Sequence, residues 1–339
     1  MRARGSRLLL AAVVCALFAV LLLVPSCSEA ESSYRVALIG FEEGVQDEER
    51  NALVEYGQRR AEAELGVEVD FIVPGPEEDL GYLFTDGEDG YDLVISMGQA
   101  SSLKMLSARP GKTQVQAVAL DFETPEPVPG EDAVSLVRYR VEEGSYICGY
   151  LAGWLSGGTD HPMTNAIPVA AFIGALDDPL MDYYSVGFNK GVQAGVPDGG
   201  AFNYPIPSAQ DSQMARTYAE DGIDKGADIF FCTPGPFNED VLDVAEKRDA
   251  LVILVGTDRS SESPQHVLTS LILRDDNAVF EAVRAAMDGD LDPGRHAWGI
   301  GEGTWSLAPF HGNDPYIRKE LKEALREQEG KVRSIDFSS

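Results

Sequence analysis

The sequence predicts an α/β chain built as two doubly wound parallel-sheet lobes facing each other across a cleft. Three observations predict it. Apolar runs of strand length alternate with amphipathic helical stretches, the mark of βαβ units on a parallel sheet. The second half of the chain repeats the arrangement of the first. Between the halves lie extended segments that read as crossings rather than as turns.

In order along the chain, Arg35 to Phe41 (RVALIGF) reads as a strand, and Asp47 to Leu65 as a helix with Leu53 and Tyr56 on its inner face. Gly66 ends that helix and releases the strand Val67 to Val73. Leu93 to Met97 and Val115 to Leu120 continue the pattern, and Val134 to Tyr139 begins a crossing. Glu142 to Leu155 is a helix, Val169 to Ile173 a strand, and Met181 to Ala194 and Ser212 to Asp224 are helices. Gly226 repeats the role of Gly66 before the strand Asp228 to Cys232. Asp240 to Lys247 is a helix, Leu251 to Gly256 a strand, and Val267 to Leu273 a crossing back. Helices Asn277 to Met287 and Pro315 to Gln328 complete the chain. One lobe is expected to hold residues 34–138 and 274–305, the other 139–273 and 306–339.

The first 27 residues read as a targeting signal: Arg2, Arg4 and Arg7 precede an apolar run from Leu8 to Val24, which Pro25-Ser26-Cys27 closes. The run is short for a membrane span, which needs about 20 residues. It resembles a relaxed lipoprotein signal cut before Cys27, whose thiol would take a lipid; Val24 stands where a Leu is usual. Residues 28–33 are then a polar tether, with the rest of the chain in the cell envelope, in the periplasm or outside the cell.

The whole chain carries 27 basic and 56 acidic residues; without the signal's three arginines the net charge is −32. Such a surface repels phosphates, which argues against nucleic acid or an anionic membrane face as partner. Cys148 and Cys232 read as small buried core residues, a disulfide between them being the lesser alternative. The four histidines have no ligand spacing, so neither a metal nor another cofactor is expected. Ser101 to Lys104 (SSLK) fits a nucleophile pattern by chance, without its companion motifs, and no enzyme motif stands.

In open parallel sheets ligands bind beyond the carboxyl ends of the strands. That rule selects Phe41, Glu42 and Asp47, Gly98 and Gln99, and Asp121 in the first half. In the second half it selects Asp177 and Asp178, the turn Thr233 to Phe237, and Asp258. Carboxylates there suit hydroxyl groups and Phe237 offers a stacking face; equally, an Asp after a strand can be a helix N-cap.

Several stretches resemble the basic membrane protein family of PnrA-like substrate-binding lipoproteins. They are EEGSYICGYLAGWLS (Glu142 to Ser156), GFNKGVQAG (Gly187 to Gly195), DGIDKGADIFF (Asp221 to Phe231), VGTD (Val255 to Asp258) and VLTS (Val267 to Ser270). The resemblance runs from about Arg35 to Asn277. It implies a type I periplasmic-binding-protein fold, purine nucleosides as the best-known ligands, and an ABC permease as partner. By the same resemblance Asp47 and Asn51 match a D-x-x-F-N pattern whose stacking Phe is Arg50 here. Asp258 would take ribose hydroxyls, Asp121 matches the family's acid after the fourth strand, and a usual Lys falls on Leu273, beside Arg274. The expected ligand site is therefore Asp47, Arg50, Asn51, Gly98, Gln99, Asp121, Phe237 and Asp258. The expected function is capture of a small nucleoside-like ligand for an ABC importer. The alternatives are a sensor that presents another ligand to a signalling protein, and a hydrolase using Asp177 and Asp178.

Overall fold

The computed structural model describes residues 34–338 apart from 43, 44, 76, 88, 89 and 129. The expected signal, the lipid site Cys27 and the tether lie outside these residues.

Two six-stranded sheets form the frame. The first contains β1 (Arg35–Ile39), β2 (Glu68–Ile72), β3 (Leu93–Met97), β4 (Gln116–Leu120), β5 (Ser135–Tyr139) and β11 (Gly294–Trp298), in the order β11-β5-β4-β3-β1-β2, all parallel. The second contains β6 (Val169–Ala175), β7 (Gly200–Ile206), β8 (Ile229–Cys232), β9 (Leu251–Gly256), β10 (Val267–Leu273) and β12 (Trp305–Leu307). Its order is β12-β10-β9-β8-β6-β7, and only β12 runs antiparallel, against β10.

The helices are α1 (Val45–Leu65), α2 (Gly98–Ala108), α3 (Val141–Ser156), α4 (Met181–Gly195), α5 (Ser212–Asp224), α6 (Asn238–Arg248), α7 (Asp275–Asp288) and α8 (Lys319–Lys331). Central strands such as LVISM of β3 and LVILVG of β9 are buried along their whole length. Helices cover both faces of such a sheet, which is why these strands read as continuous apolar runs.

The structure corrects the sequence reading in three respects. Ser135–Tyr139 and Val267–Leu273 are full members of the two sheets, and the chain crosses only after each of them. Strands β7, β11 and β12 are absent from the sequence reading; all three are edge strands, GAFNYPI and GRHAW carry no apolar run, and β12 is only three residues long. Helix α1 buries Val54, Gly57 and Ala61, while Tyr56 is 56% exposed and Leu53 half-buried, so its inner face is rotated by one residue. Cys148 and Cys232 are buried and free, and burial pushes both thiols up. Gly66 and Gly226 do turn the chain out of helices, at φ 72° and 99°.

Three straps join the lobes: Arg140 between β5 and α3, Arg274 between β10 and α7, and residues 299–304 between β11 and β12. They are tied to one another. Arg140 donates its amide to the Trp298 carbonyl at 2.7 Å, and Arg274 to the Thr304 carbonyl at 2.9 Å. The Ile300 amide donates to the fully buried Glu143 at 2.9 Å.

In the second lobe α3 and α4 lie backbone against backbone. A Cβ added at Gly149 would stand 2.1 Å from the Phe188 carbonyl oxygen, and one at Gly191 would stand 2.1 Å from that of Tyr146. Gly153, Gly187 and Gly195 make approaches of 2.3–2.4 Å in the same seam. Every residue of α3 except Trp154 is buried.

Candidate functional site

A cleft of about 290 Å³ opens between the carboxyl ends of the two sheets. The first lobe contributes Phe41, Glu42, Arg50, Met97 to Ser101, Asp121 and Glu123; the second contributes Asp178 to Leu180, Tyr184, Pro234 and Leu273.

Its wall in the first lobe is built around Arg50. The guanidinium donates to both oxygens of Asp275, the first residue of α7, at 2.8 and 2.7 Å. It also pairs with Asp121 at 2.8 Å and lies over the Phe41 ring, 4.0 Å from its centroid. Tyr139 donates its hydroxyl to Asp275 at 3.0 Å. Burial alone would lower the Arg50 pKa, but the carboxylates of Asp275 and Asp121 hold it well above its ordinary value. On Asp275 burial pushes upward and Arg50 pulls down; two short parallel bonds are the geometry of an ionised carboxylate.

Local backbone fixes the rest of this wall. Gly98 opens α2 at φ 73°, and a Cβ there would stand 2.6 Å from the Phe41 ring. Asp121 holds φ 53°, a conformation that a non-glycine residue keeps only when its surroundings impose it. Its Oδ1 and the Gln99 Oε1 are shut off from solvent and have no hydrogen-bond partner among the described residues. A buried acceptor left this way costs about 1–3 kcal/mol, so such atoms call for a donor that the chain does not supply.

On the facing wall Asp178 accepts the Leu180 amide at 2.8 Å. Burial first, then the nearby Asp121 and Asp177, push its carboxyl up to about 6. Since its ordinary value is 3.8, the folded protein prefers it protonated, and the stability linked to that proton is complete below pH 3.8 and lost as pH rises through 6. Melting temperatures measured from pH 4 to 7 are therefore expected to fall less in Asp178→Asn than in the wild type. Equal slopes for the two proteins would contradict the assignment.

The structure gathers Arg50, Gly98, Gln99 and Asp121 of the expected site into this cleft. Asp47 lies in the first turn of α1, but its side chain is outside the described residues. Asn51 faces the backbone: it accepts the Phe41 amide at 2.8 Å and donates to the Phe41 carbonyl at 3.0 Å, pinning the loop after β1. Phe237 is fully buried against Gly235 and offers no stacking face. Asp258 bonds the His311 ring at 2.8 Å and the Ser260 amide at 3.1 Å, outside the residues that line the cleft. Asp177 accepts from Ser208 and the Ala209 amide and is not among the residues that line the cleft, whereas Asp178 is.

Asp275, Glu123 and Tyr184 were not singled out from sequence. Asp275 lies two residues beyond the end of β10, and the strand-end rule that selected Asp121 reaches it too once Val267–Leu273 is known to be a sheet strand. Glu123 is paired with Arg138 and Arg295 at 3.6 Å, and Glu42 with Lys104 at 2.7 Å, so the rim carboxylates already have cations.

The family model for PnrA-like ABC transporter substrate-binding proteins matches residues 77–335. Among relatives, basic membrane protein B of Borreliella burgdorferi is 24% identical over 209 residues, which are 60% of this chain and 56% of that protein. The chain thus spans little more than half of that relative. A purine-binding protein of Brucella abortus is 23% identical over 309 residues, covering 82% of this chain and 84% of its own. A solute-binding protein of an Aeropyrum pernix ABC transporter system superposes with a TM-score of 0.66 at 19% identity, over 88% of this chain and 91% of its own. The fold is that of the type I periplasmic binding proteins, and the matched length places the chain in the family of PnrA-like substrate-binding proteins of ABC transporters.

Proposed function

We propose that the chain captures a small, uncharged, hydroxyl-bearing ligand of the nucleoside class in the interlobe cleft and presents it to an ABC permease. The observation that carries the reading is the pair of solvent-excluded, unpartnered acceptors, Gln99 Oε1 and Asp121 Oδ1, on residues lining that cleft. Sugar hydroxyls are the donors that such atoms lack. Arg50, backed by Phe41, supplies a flat guanidinium on which a ring can stack, at the position where the family resemblance implies a Phe. The two lobes close on the ligand about the three straps, and the closed form is what a permease would recognise. Export as a lipoprotein, anchored through Cys27, belongs to the same reading and accounts for the polar tether after it.

Thermal melts of the purified protein against nucleosides, nucleobases, sugars and amino acids test it. A ligand at 100 times its Kd stabilises by roughly 2.7 kcal/mol, a shift of a few degrees. A shift with nucleosides that is lost in Asp121→Ala is expected. A shift with amino acids alone would overturn the ligand class.

A further inference from the structure

Beside the main cleft lies a second chamber of about 70 Å³, lined by Glu49, Arg50, Pro234, Thr257 and Arg259 among others. Arg50 and Pro234 line both, so the two chambers adjoin. Arg259 is only 7% exposed. Its Nη2 donates to Glu262 at 2.7 Å, its Nε donates to the same carboxylate, and its backbone amide donates to Ser270 at 3.1 Å. Its Nη1 is shut off from solvent and has no hydrogen-bond partner among the described residues. A guanidinium nitrogen donates and cannot accept, so Nη1 calls for an acceptor.

The surroundings decide what kind of acceptor fits. Arg259 is already neutralised by Glu262, Glu49 accepts from Thr257, and Arg50 is shared by Asp121 and Asp275. Carboxylates outnumber cations here, which disfavours a phosphate or carboxylate on the ligand.

We infer that the second chamber is a subsite for a ring carbonyl oxygen of the ligand, held by Arg259. The inference rests on the nucleoside reading and sharpens it. In the main cleft two buried acceptors lack a donor and beside the second chamber one buried donor lacks an acceptor, so the ligand lies with its hydroxyls in the first and a carbonyl edge in the second. A ring with a carbonyl is preferred over one bearing an amine at the same position.

Inosine and adenosine differ in that way, and titration calorimetry of the full-length protein with each reads the preference. Inosine is expected to bind about ten- to hundredfold more tightly, the range that one unpaired buried donor implies. In Arg259→Met the ratio is expected to fall towards one. Arg259→Lys, which keeps the charge beside Glu262 but has no Nη1, gives the same loss should the methionine variant fail to fold. Adenosine binding as well as inosine, or a ratio that survives both substitutions, overturns the subsite while leaving the nucleoside reading intact. Binding of neither nucleoside overturns both.

Discussion

Arg50→Met is expected to destabilise the protein by about 3–5 kcal/mol, the usual cost of leaving a buried charge without its partner. Asp275 is 0% exposed, and two of the three bonds that its side chain accepts come from Arg50. Asp121, the second partner, keeps only 10% of its side-chain surface. Without the guanidinium the two carboxylates face each other in a dry wall, and at least one must take up a proton for the fold to survive. Denaturant unfolding at neutral and at mildly acid pH measures both effects: the loss is greater at the higher pH, where that protonation is opposed. Arg50→Met combined with Asp275→Asn is expected to recover part of the stability, because the neutral amide no longer demands a cation. A loss below about 1 kcal/mol in the single variant, the size typical of an exposed ion pair, would mean that the wall is wet.

Gly191→Ala comes next in size. In an ordinary helix this change gains about 0.5–1 kcal/mol, since glycine is the costlier residue there. At Gly191 the added methyl would meet the Tyr146 carbonyl oxygen at 2.1 Å and the Tyr150 nitrogen at 2.8 Å. Both belong to the backbone of α3, so no rotamer change relieves them. Overpacking of this kind costs about 1–3 kcal/mol, occasionally more, and outweighs the helix-propensity gain. Gly330→Ala in α8 is the control, because nothing lies within 4 Å of its added Cβ and only the gain should remain. Opposite signs for the two variants, read from their melting temperatures, support the backbone seam; a stabilised Gly191→Ala would refute it. The seam matters for the site, since α4 carries the Tyr184 that lines the cleft.

Much of the frame was legible in the sequence because central parallel strands announce themselves as apolar runs and glycines mark where helices stop. Edge strands β7 and β11 escaped because neither is a continuous apolar run: β7 alternates Phe202, Tyr204 and Ile206 with exposed Asn203 and Pro205, and β11 holds no fully buried residue. The candidate site was legible through position rather than residue type: the ends of β3 and β4 give Gly98, Gln99 and Asp121 directly. Side-chain direction was not legible. Phe237 has the look of a stacking residue but fills the core, and Asn51 matches a ligand-binding pattern while its amide is spent on the Phe41 backbone. The bond from Arg50 to Asp275 joins residues 225 positions apart, a separation at which no local pattern carries information.

The three tied straps bear on how the molecule communicates. A single tether lets two bodies twist, slide and tilt, and an observer of their surfaces would meet a continuum of shapes. Three short connections tied together by the Arg140–Trp298 and Arg274–Thr304 bonds leave two bodies fewer ways to move than one tether would, and the proposed closure about them is expected to follow one path. On the proposed function, a permease docked on the outside of the two lobes would then read a yes-or-no signal, open or shut, with no record of which ligand closed them.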